Sequence, residues 1–297
     1  TSGSTGTPSL VRLQKKHMVT SAKMTGDFLN LKEGDVALLC LSVNTIAGKM
    51  MIIRSIVLNL NLVVVNIDSK PLASYTGHVD FAAMVPLQAQ NSLPSLNRVE
   101  KLIIGGGTLS NYLFKSISDL KIKAFHTYGM TETISHIAMR EISFGSRYFK
   151  TLDGVTIKAV DECLNVTVPK LGIENLQTND IVSLIDKSQF EWKGRKDFIV
   201  NSGGVKINPE LIEAALENLI QVPFFIIGLE DEALGEKLIL CIEGQQNIEK
   251  SSFTLLLTKY DIPKEIYSFE KFQRTESGKV NRIKTIELIK DAERKVL

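Results

Sequence analysis

The sequence predicts an α/β protein, with a layered α/β large domain that includes a β-rich segment and a smaller α+β C-terminal domain. Three observations favour it. Short apolar runs alternate with helical stretches from residue 36 to 125, β-rich runs without helices fill residues 150–195, and a second alternation follows. Continuous apolar strands between helices indicate a sheet covered on both faces. We therefore expect a largely parallel sheet in the first part.

The elements of the large domain follow in chain order. Strands are expected at 36–41, 62–67, 81–85, 101–104 and 122–125, with helices at 46–58 and 110–117. Shorter β-rich runs lie at 155–160, 164–168 and 181–185, separated by Asp, Asn and Gly. They predict an antiparallel patch without helices.

The second part begins near Asp197, so we predict domains at 1–196 and 197–297. Asn208 as N-cap, Pro209 in the first turn and Glu210 at the positive end of the dipole predict a helix start. Its apolar face is expected to hold Leu211, Ile212, Ala215, Leu216 and Leu219. Strands at 224–228, 238–242 and 265–269 and helices near 252–260 and from about 283 complete this part.

Composition excludes several classes of protein. Hydrophobic residues make up 44 % and charged residues 23 %, which excludes a disordered chain. With 35 Lys+Arg and 33 Asp+Glu, the net charge of +2 favours neither a nucleic-acid nor a membrane-surface partner. No apolar run is long enough to span a membrane. The cysteines Cys40, Cys163 and Cys241 form no CxxC pair and indicate buried thiols of a reducing, cytoplasmic compartment.

Four segments carry candidate chemistry. The first is a run of hydroxyl residues and glycines suited to an anion nest for phosphate oxygens: Thr1, Ser2, Gly3, Ser4, Thr5, Gly6 and Thr7. It is not a Walker A loop, because no Gly-Lys-Ser/Thr follows. The alternative is a flexible Gly/Ser terminus.

The second segment is Tyr128-Gly-Met-Thr-Glu-Thr133, which follows an apolar run. Tyr128 is placed to stack on a base, and Glu132 offers the oxygen ligands that Mg²⁺ prefers. The alternative is a capped helix start with Thr131 as the cap.

The third segment contains Arg195, whose guanidinium can donate several hydrogen bonds to phosphate or ribose oxygens. It also contains the glycine pair Gly203-Gly204, which permits positive φ. The fourth is a polar turn that presents Lys279 beside Gly278. The alternative for Lys279 is a solvated surface charge.

Together the four segments TSGSTGTP, YGMTET, GRKDFIVNSGGVKINPELIE and RTESGKVNR resemble, in this order, the signatures of the adenylate-forming superfamily. That superfamily includes acyl- and aryl-CoA ligases, adenylation domains of peptide synthetases, and luciferases. Residues 37–41, 47–51, Arg54 and the glycine run 105–107 are most similar to bacterial o-succinylbenzoate–CoA ligases of menaquinone biosynthesis.

The resemblance implies two half-reactions and three small molecules: ATP, Mg²⁺ and CoA. A carboxylate attacks the α-phosphorus of ATP and gives an acyl-adenylate and pyrophosphate. The resemblance also implies that the smaller α+β C-terminal domain is mobile: it then rotates, and the thiol of CoA displaces AMP.

On this resemblance, the loop 1–7 would hold the β- and γ-phosphates, and Glu132 would hold Mg²⁺. Thr131 would bond the α-phosphate, and Tyr128 would lie against adenine. Gly106 and Gly107 would line the nucleotide and acyl sites.

The resemblance also assigns residues nearer the C-terminus. Asp180 would accept hydrogen bonds from the ribose hydroxyls, with Arg195 beside the ribose or phosphate. Lys279 would be the catalytic lysine that bridges the attacking carboxylate and the α-phosphate. Asp197 would lie at the hinge, and Gly203-Gly204 would line the pantetheine channel.

The chain departs from the family pattern in three places. Ser9 stands where the phosphate loop usually has lysine, and Asn44 where a histidine is frequent. Family members also carry a region before the phosphate loop, so we expect a longer functional protein, with the N-terminal part of the large domain missing here. Since Lys279, Glu132 and Asp180 are all present, the departures do not predict an inactive enzyme.

The substrate that this resemblance implies, o-succinylbenzoate, has two carboxylates, and only one is activated. A basic side chain is expected to neutralise the other. Lys49 and Arg54 follow Asn44 on the predicted helix and are the candidates. The alternative places both on a solvated helix face.

Two other functions stay open at this stage. One is an adenylation domain that loads a carrier protein, and the other is a nucleotide-binding homologue without catalysis. The oligomeric state is not predicted.

Overall fold

The computed structural model describes residues 10–275 and 280–297. The predicted phosphate loop at 1–7, Ser9 and the predicted catalytic Lys279 lie outside the described residues. Within the described part, no helix is both long enough and apolar enough to cross a membrane.

A parallel sheet forms the first part of the large domain. Its strands are β1 (Val36–Leu39), β2 (Asn61–Val64), β3 (Val79–Met84), β4 (Val99–Ile104) and β5 (Lys123–Gly129). They lie in the order β2-β1-β3-β4-β5, and every neighbouring pair is parallel. The helices are α1 (Lys15–Leu29), α2 (Ile46–Leu58), α3 (Pro86–Asn91) and α4 (Asn111–Ser118).

Helices cover both faces of this sheet, as predicted. Alternate strand residues face opposite layers: Phe81 packs in the cluster with α1 and α2, and its neighbour Ala82 packs in the cluster with α3 and α4. Both residues are fully buried. Two-sided burial explains why the strands read as continuous apolar runs.

The predicted β-rich segment extends the same sheet. Its strands are β6 (His136–Glu141), β7 (Phe149–Thr151), β8 (Thr156–Val160), β9 (Cys163–Val168), β10 (Ile173–Leu184) and β11 (Gln189–Arg195). They pair antiparallel in the order β6-β7-β11-β10-β9-β8, which completes an 11-stranded sheet. Since β6 pairs with β5, the parallel and antiparallel parts form one continuous sheet.

A second sheet follows. Its elements are β12 (Val200–Ser202), β13 (Val205–Ile207), α5 (Pro209–Leu216), β14 (Phe224–Asp231), β15 (Gly235–Glu243), α6 (Lys250–Thr254), β16 (Glu265–Phe269), α7 (Arg282–Ile286) and β17 (Glu293–Val296). The strand order is β13-β12-β15-β16-β17, with β14 paired to β15. The 3₁₀ turn Lys196–Phe198 lies between the two sheets. The domain boundary near Asp197 stays a prediction.

Several elements differ from expectation. Helix α1 was not predicted, because it buries Ser21, Thr25 and Gly26 among its apolar residues and shows no clear apolar period. Leu211 and Ala215 are exposed, so the apolar face of α5 is narrower than predicted. Ile212 and Leu216 are buried, and Leu219, beyond the end of the helix, packs against the same cluster. The terminal helix ends after five residues, and the chain continues into β17.

Candidate functional site

The predicted glycine run and the segment that begins at Tyr128 lie side by side. Strands β4 and β5 are parallel neighbours, so their carboxyl ends reach the same edge of the sheet. Gly106 has a φ of 83° and, like Gly107, is exposed at this edge. A Cβ on Gly105 would lie 2.4 Å from Oγ1 of Thr127, so a side chain does not fit there. The edge is therefore an open, backbone-lined surface, typical of ligand sites in α/β sheets.

His126 holds the glycine run against β5. Its Nε2 lies 3.0 Å from the carbonyl oxygen of Gly107, and its Nδ1 lies 3.3 Å from Nη2 of Arg140. Burial and the charge of Arg140 lower the pKa of His126 to about 4. The ring is therefore neutral at pH 7, with Nε2 donating to Gly107 and Nδ1 accepting from Arg140.

The turn after β5 is built by a buried threonine. Oγ1 of Thr133 accepts from the backbone N–H of Met130 across 2.9 Å and lies 2.8 Å from the carbonyl oxygen of Ser135. A Cβ on Gly129 would lie 2.3 Å from that same oxygen, so glycine is required. The interpretation of Thr131 as a helix cap is wrong: the 3₁₀ turn Thr131–Thr133 starts after Met130 and is stabilised by Thr133.

This arrangement leaves Thr131 half-buried and Glu132 exposed. Among the described residues, no hydrogen bond or ion pair occupies the carboxylate of Glu132. An unpaired carboxylate fits a hard cation, and Mg²⁺ is usually held by one or two carboxylates together with phosphate oxygens. The group of three close ligand residues found in the described part, His78, Asp80 and Glu100, lies instead toward the amino ends of β3 and β4.

Asp180 is a buried carboxylate with two donors. It is 6 % exposed. The hydroxyl of Tyr128 donates to Oδ2 across 2.6 Å, and Nε1 of Trp192 donates to Oδ1 across 3.0 Å. Burial, then the negative charge of Asp180, raises the pKa of Tyr128, so the phenol stays protonated and acts as donor. Each carboxylate oxygen keeps a further lone pair for a ligand hydroxyl.

Arg195 lies directly across the β10–β11 pair from Asp180. Its guanidinium pairs with the carboxylate of Asp197. Its backbone N–H donates to Oε2 of Glu210 across 2.8 Å, which ties the strand to α5. The structure thus brings Tyr128, Asp180 and Arg195 to one place, with Asp197 bound to them through Arg195.

Sequence reasoning missed Trp192. It is the single tryptophan of the chain and lies on the same strand as Arg195. A tryptophan three residues before a candidate arginine was the available signal. Tyr128 itself packs edge-on against Phe190, with ring centroids 5.2 Å apart. Its stacking on adenine stays a prediction.

Gly203 and Gly204 form a two-residue hairpin turn between β12 and β13. Their φ values are 58° and 82°, and both are exposed. Two consecutive positive φ values define the tight turn that suits the strand twist and favour glycine. The pair therefore lies at the turn of a hairpin in the second sheet. Its contact with pantetheine stays a prediction.

Lys49 and Arg54 have opposite environments on α2. Lys49 is exposed, as the solvated-face interpretation expects. Arg54 is 2 % exposed, so that interpretation is wrong for it. Its Nη2 donates to Oγ of Ser135 across 2.6 Å, and its Nε has no hydrogen-bond partner among the described residues. Burial lowers the pKa of Arg54 to about 10, which leaves it charged at pH 7.

Comparison with known proteins confirms the predicted fold and class of enzyme. A sequence profile of the family described as AMP-binding enzyme matches residues 1–170. A 2-succinylbenzoate–CoA ligase of Staphylococcus epidermidis is 25 % identical over 322 residues, covering 96 % of this chain and 68 % of that protein.

Two solved structures extend the comparison. An acyl-CoA synthetase (AMP-forming)/AMP-acid ligase II-like protein from Dyadobacter fermentans is 34 % identical with a TM-score of 0.63, covering 97 % of this chain and 88 % of that one. The O-succinylbenzoate coenzyme A synthetase of Bacillus subtilis, in complex with ATP and magnesium ion, has a TM-score of 0.83 at 21 % identity and covers 96 % of this chain and 68 % of that one. With the profile matching more than half of the 297 residues, the chain belongs to the AMP-binding enzyme family, as an AMP-forming acid–thiol ligase.

Proposed function

We propose that the protein is an ATP-dependent acid–CoA ligase that activates o-succinylbenzoate for menaquinone biosynthesis. The carboxylate attacks the α-phosphorus of ATP, the acyl-adenylate forms, and pyrophosphate leaves. The thiol of CoA then displaces AMP from the acyl group. The observation that carries the proposal is the cluster of Tyr128, Asp180 and Arg195 at the carboxyl edge of the sheet.

This cluster supports a nucleotide site. A buried carboxylate with free lone pairs is suited to accept two ribose hydroxyls, and Arg195 supplies a neighbouring positive charge. Tyr128 lies against adenine in this proposal, and Thr131 bonds the α-phosphate. Gly106 and Gly107 present backbone groups along the same edge.

We propose Glu132 as the protein ligand for Mg²⁺, since its exposed carboxylate has no partner among the described residues. When bound, Mg²⁺ neutralises charge on the phosphates of ATP. The hydroxyl and backbone groups of Thr1 to Thr7 bind the β- and γ-phosphates in the same proposal.

Lys279 is proposed to place its ammonium between the attacking carboxylate and the α-phosphorus, where negative charge develops. Asp197 is proposed as the hinge, and Gly203-Gly204 as the lining of the pantetheine channel after rotation of the small domain. CoA is therefore a substrate of the second half-reaction.

Arg54 is proposed to bind the carboxylate of o-succinylbenzoate that is not activated. A buried guanidinium without a carboxylate partner is unfavourable unless an anion compensates it. Among the ion pairs of the described residues, Arg54 takes part in none. Its partner Ser135 lies three residues after Glu132, so Arg54 is joined to the turn that carries the proposed phosphate and metal contacts.

The relatives named 2-succinylbenzoate–CoA ligase support this choice of acid. A reducing, cytoplasmic compartment is also proposed, because Cys40, Cys163 and Cys241 are buried free thiols.

The test is a panel of carboxylic acids, including o-succinylbenzoate, assayed with ATP for pyrophosphate release and with CoA for thioester formation. We expect both products with o-succinylbenzoate. Pyrophosphate without a CoA thioester would favour loading of a carrier protein. If ATP binds but no acid causes pyrophosphate release, the proposed ligase activity is overturned, and the protein is a nucleotide-binding homologue without catalysis.

A further inference from the structure

Three buried side chains, Arg54, His136 and Thr25, and the half-buried Ser135 form one hydrogen-bonded chain through the large domain. Nη2 of Arg54 lies 2.6 Å from Oγ of Ser135, which lies 3.3 Å from Nδ1 of His136. On the other side of the ring, Nε2 of His136 lies 3.0 Å from Oγ1 of Thr25, and Thr25 donates to the carbonyl oxygen of Ser21 across 3.1 Å. The chain connects α2, the end of the turn after β5, β6 and α1.

The donors and acceptors of this chain have a single consistent direction. Thr25 has one hydroxyl proton, which goes to the carbonyl oxygen of Ser21, so Oγ1 of Thr25 accepts from Nε2–H of His136. A neutral ring protonated on Nε2 has a bare Nδ1, which accepts from the hydroxyl of Ser135. Since arginine only donates, Oγ of Ser135 accepts from Arg54.

Burial enforces this direction. Arg54 is 2 %, His136 7 % and Thr25 0 % exposed, so water does not compete for these groups. Burial, followed by the charge of Arg54, lowers the pKa of His136 well below its ordinary value. A protonated ring would also place a proton on Nδ1, where Ser135 donates, and a second cation beside Arg54.

Arg54 depends on this chain for its orientation. The hydrogen bond to Ser135 is its one close contact with an oxygen acceptor among the described residues; the other recorded contact, from Nη1 to Sδ of Met51, is 3.9 Å long. A guanidinium held at one corner keeps the remaining fork of donors in a fixed plane, and bidentate recognition of a carboxylate requires that plane. Thr25 and His136 thus determine where Ser135 holds the guanidinium.

We propose that His136 is a positioning residue for substrate selectivity: acting through Ser135, it holds Arg54 so that the free donors of the guanidinium receive the second carboxylate of a dicarboxylic acid. This inference rests on the proposed function, in which Arg54 binds that carboxylate. His136 itself does not touch the substrate.

The test measures kcat/KM with o-succinylbenzoate and with an analogue that lacks the second carboxylate. His136→Leu removes both hydrogen bonds of the ring, whereas His136→Gln keeps an acceptor and a donor at the same position. Thr25→Val removes the acceptor at the far end of the chain with nearly the same side-chain volume. His78→Gln is the control, because His78 is an exposed histidine with 62 % of its side chain accessible.

We expect His136→Leu to lower kcat/KM for the dicarboxylate about tenfold, the equivalent of one charged hydrogen bond. For the monocarboxylate we expect a change of less than about twofold on the same basis. His136→Gln should restore most of the selectivity for the dicarboxylate. The selectivity of Thr25→Val should lie between those of His136→Leu and His136→Gln. An equal loss for both acids would indicate a structural role alone, and no loss for either would exclude His136; both outcomes overturn the inference.

Arg54→Ala separates this inference from the function on which it rests. Lost selectivity in Arg54→Ala with unchanged selectivity in the His136 variants overturns only the positioning role. Unchanged selectivity in Arg54→Ala overturns the carboxylate site as well.

A second measurement is independent of turnover. The chain has four histidines, so the imidazole nitrogen resonances can be assigned by single substitutions. We expect His136 to show a protonated Nε2 and a bare Nδ1, and Thr25→Val to shift the side-chain nitrogen resonances of Arg54. A proton on Nδ1 instead of Nε2, or an Arg54 resonance that does not shift in Thr25→Val, would contradict the proposed series of hydrogen bonds from Arg54 to Thr25.

Discussion

The hydroxyl of Tyr128 donates to Oδ2 of Asp180 across 2.6 Å and so joins the end of a parallel strand to the antiparallel half of the sheet. The two residues are 52 positions apart in the chain. Trp192 donates to the other oxygen of the same carboxylate. A carboxylate aligned by two donors is preorganised to accept ligand hydroxyls, because its orientation is set before the ligand arrives.

Loss of one of these donors is therefore expected to weaken ATP binding. Tyr128→Phe keeps the ring and its packing but removes the hydroxyl, and we expect KM for ATP to rise about threefold to tenfold, as for one hydrogen bond to a charged group. Steady-state kinetics at saturating acid measures it. Trp192→Phe should act in the same direction, whereas an unchanged KM in both variants would contradict the alignment of Asp180.

The two basic residues on α2 are expected to behave differently. Lys49→Ala removes an exposed charge and should leave the selectivity between a dicarboxylate and a monocarboxylate within about twofold, as for most surface substitutions. Arg54→Ala removes the buried guanidinium and should lower kcat/KM for the dicarboxylate by about 10- to 100-fold.

The comparison requires folded Arg54→Ala protein, since Ser135 loses its donor. Arg54→Lys keeps a charge without the fork and should show intermediate selectivity. Equal selectivity in Lys49→Ala and Arg54→Ala would show that Arg54 does not bind the second carboxylate.

The sequence predicted those parts of the fold that depend on local pattern. The predicted helix 46–58 and strand 265–269 have the observed bounds. Thr45 caps the helix, and Ile266, Tyr267 and Phe269 are residues that favour strands. Helix α1 was missed because Thr25 and Gly26 are buried in it as packing and hydrogen-bonding residues.

The candidate site was predicted in its residue types and not in its connections. Tyr128, Asp180 and Arg195 were identified, but their contacts depend on strand order and register. The partners of Arg54 and His136 lie 81 and 111 residues away in the chain, so a pattern read along one segment does not reveal them. For the same reason the sequence left open whether Arg54 binds the substrate or lies on a solvated helix face.

The catalytic role proposed for Lys279 predicts different effects on the two half-reactions. Lys279→Ala should lose adenylation, because its ammonium stabilises the charge that develops at the α-phosphorus in that step, and the proposed rotation of the small domain moves Lys279 away before the second step. It should still convert a preformed acyl-adenylate to the thioester with CoA. Pyrophosphate release and thioester formation, measured separately, test this; an equal loss of both would exclude the role.

Glu265 is expected to stabilise the second sheet in a pH-dependent way. Burial alone would raise its pKa, but hydrogen bonds from Tyr267, Lys237 and Arg294 outweigh burial and lower the pKa to about 2. Its ordinary value is 4.5, so its contribution to stability is present above that pH and is lost as the pH falls toward 2. Glu265→Gln should therefore lower Tm most at neutral pH, and the difference from wild type should shrink below pH 4.5.

Glu210 should show the opposite dependence. Burial raises its pKa from 4.5 to about 7, although the N–H of Arg195 acts against this. Between these two values the folded state binds more protons than the unfolded state, so this group lowers stability as the pH rises. Glu210→Gln can still accept from Arg195 but does not ionise. Its Tm relative to wild type should therefore increase between pH 4.5 and about 7 and then stay level. If Tm of Glu210→Gln and of wild type differ by the same amount at every pH in this range, Glu210 is not the titrating group.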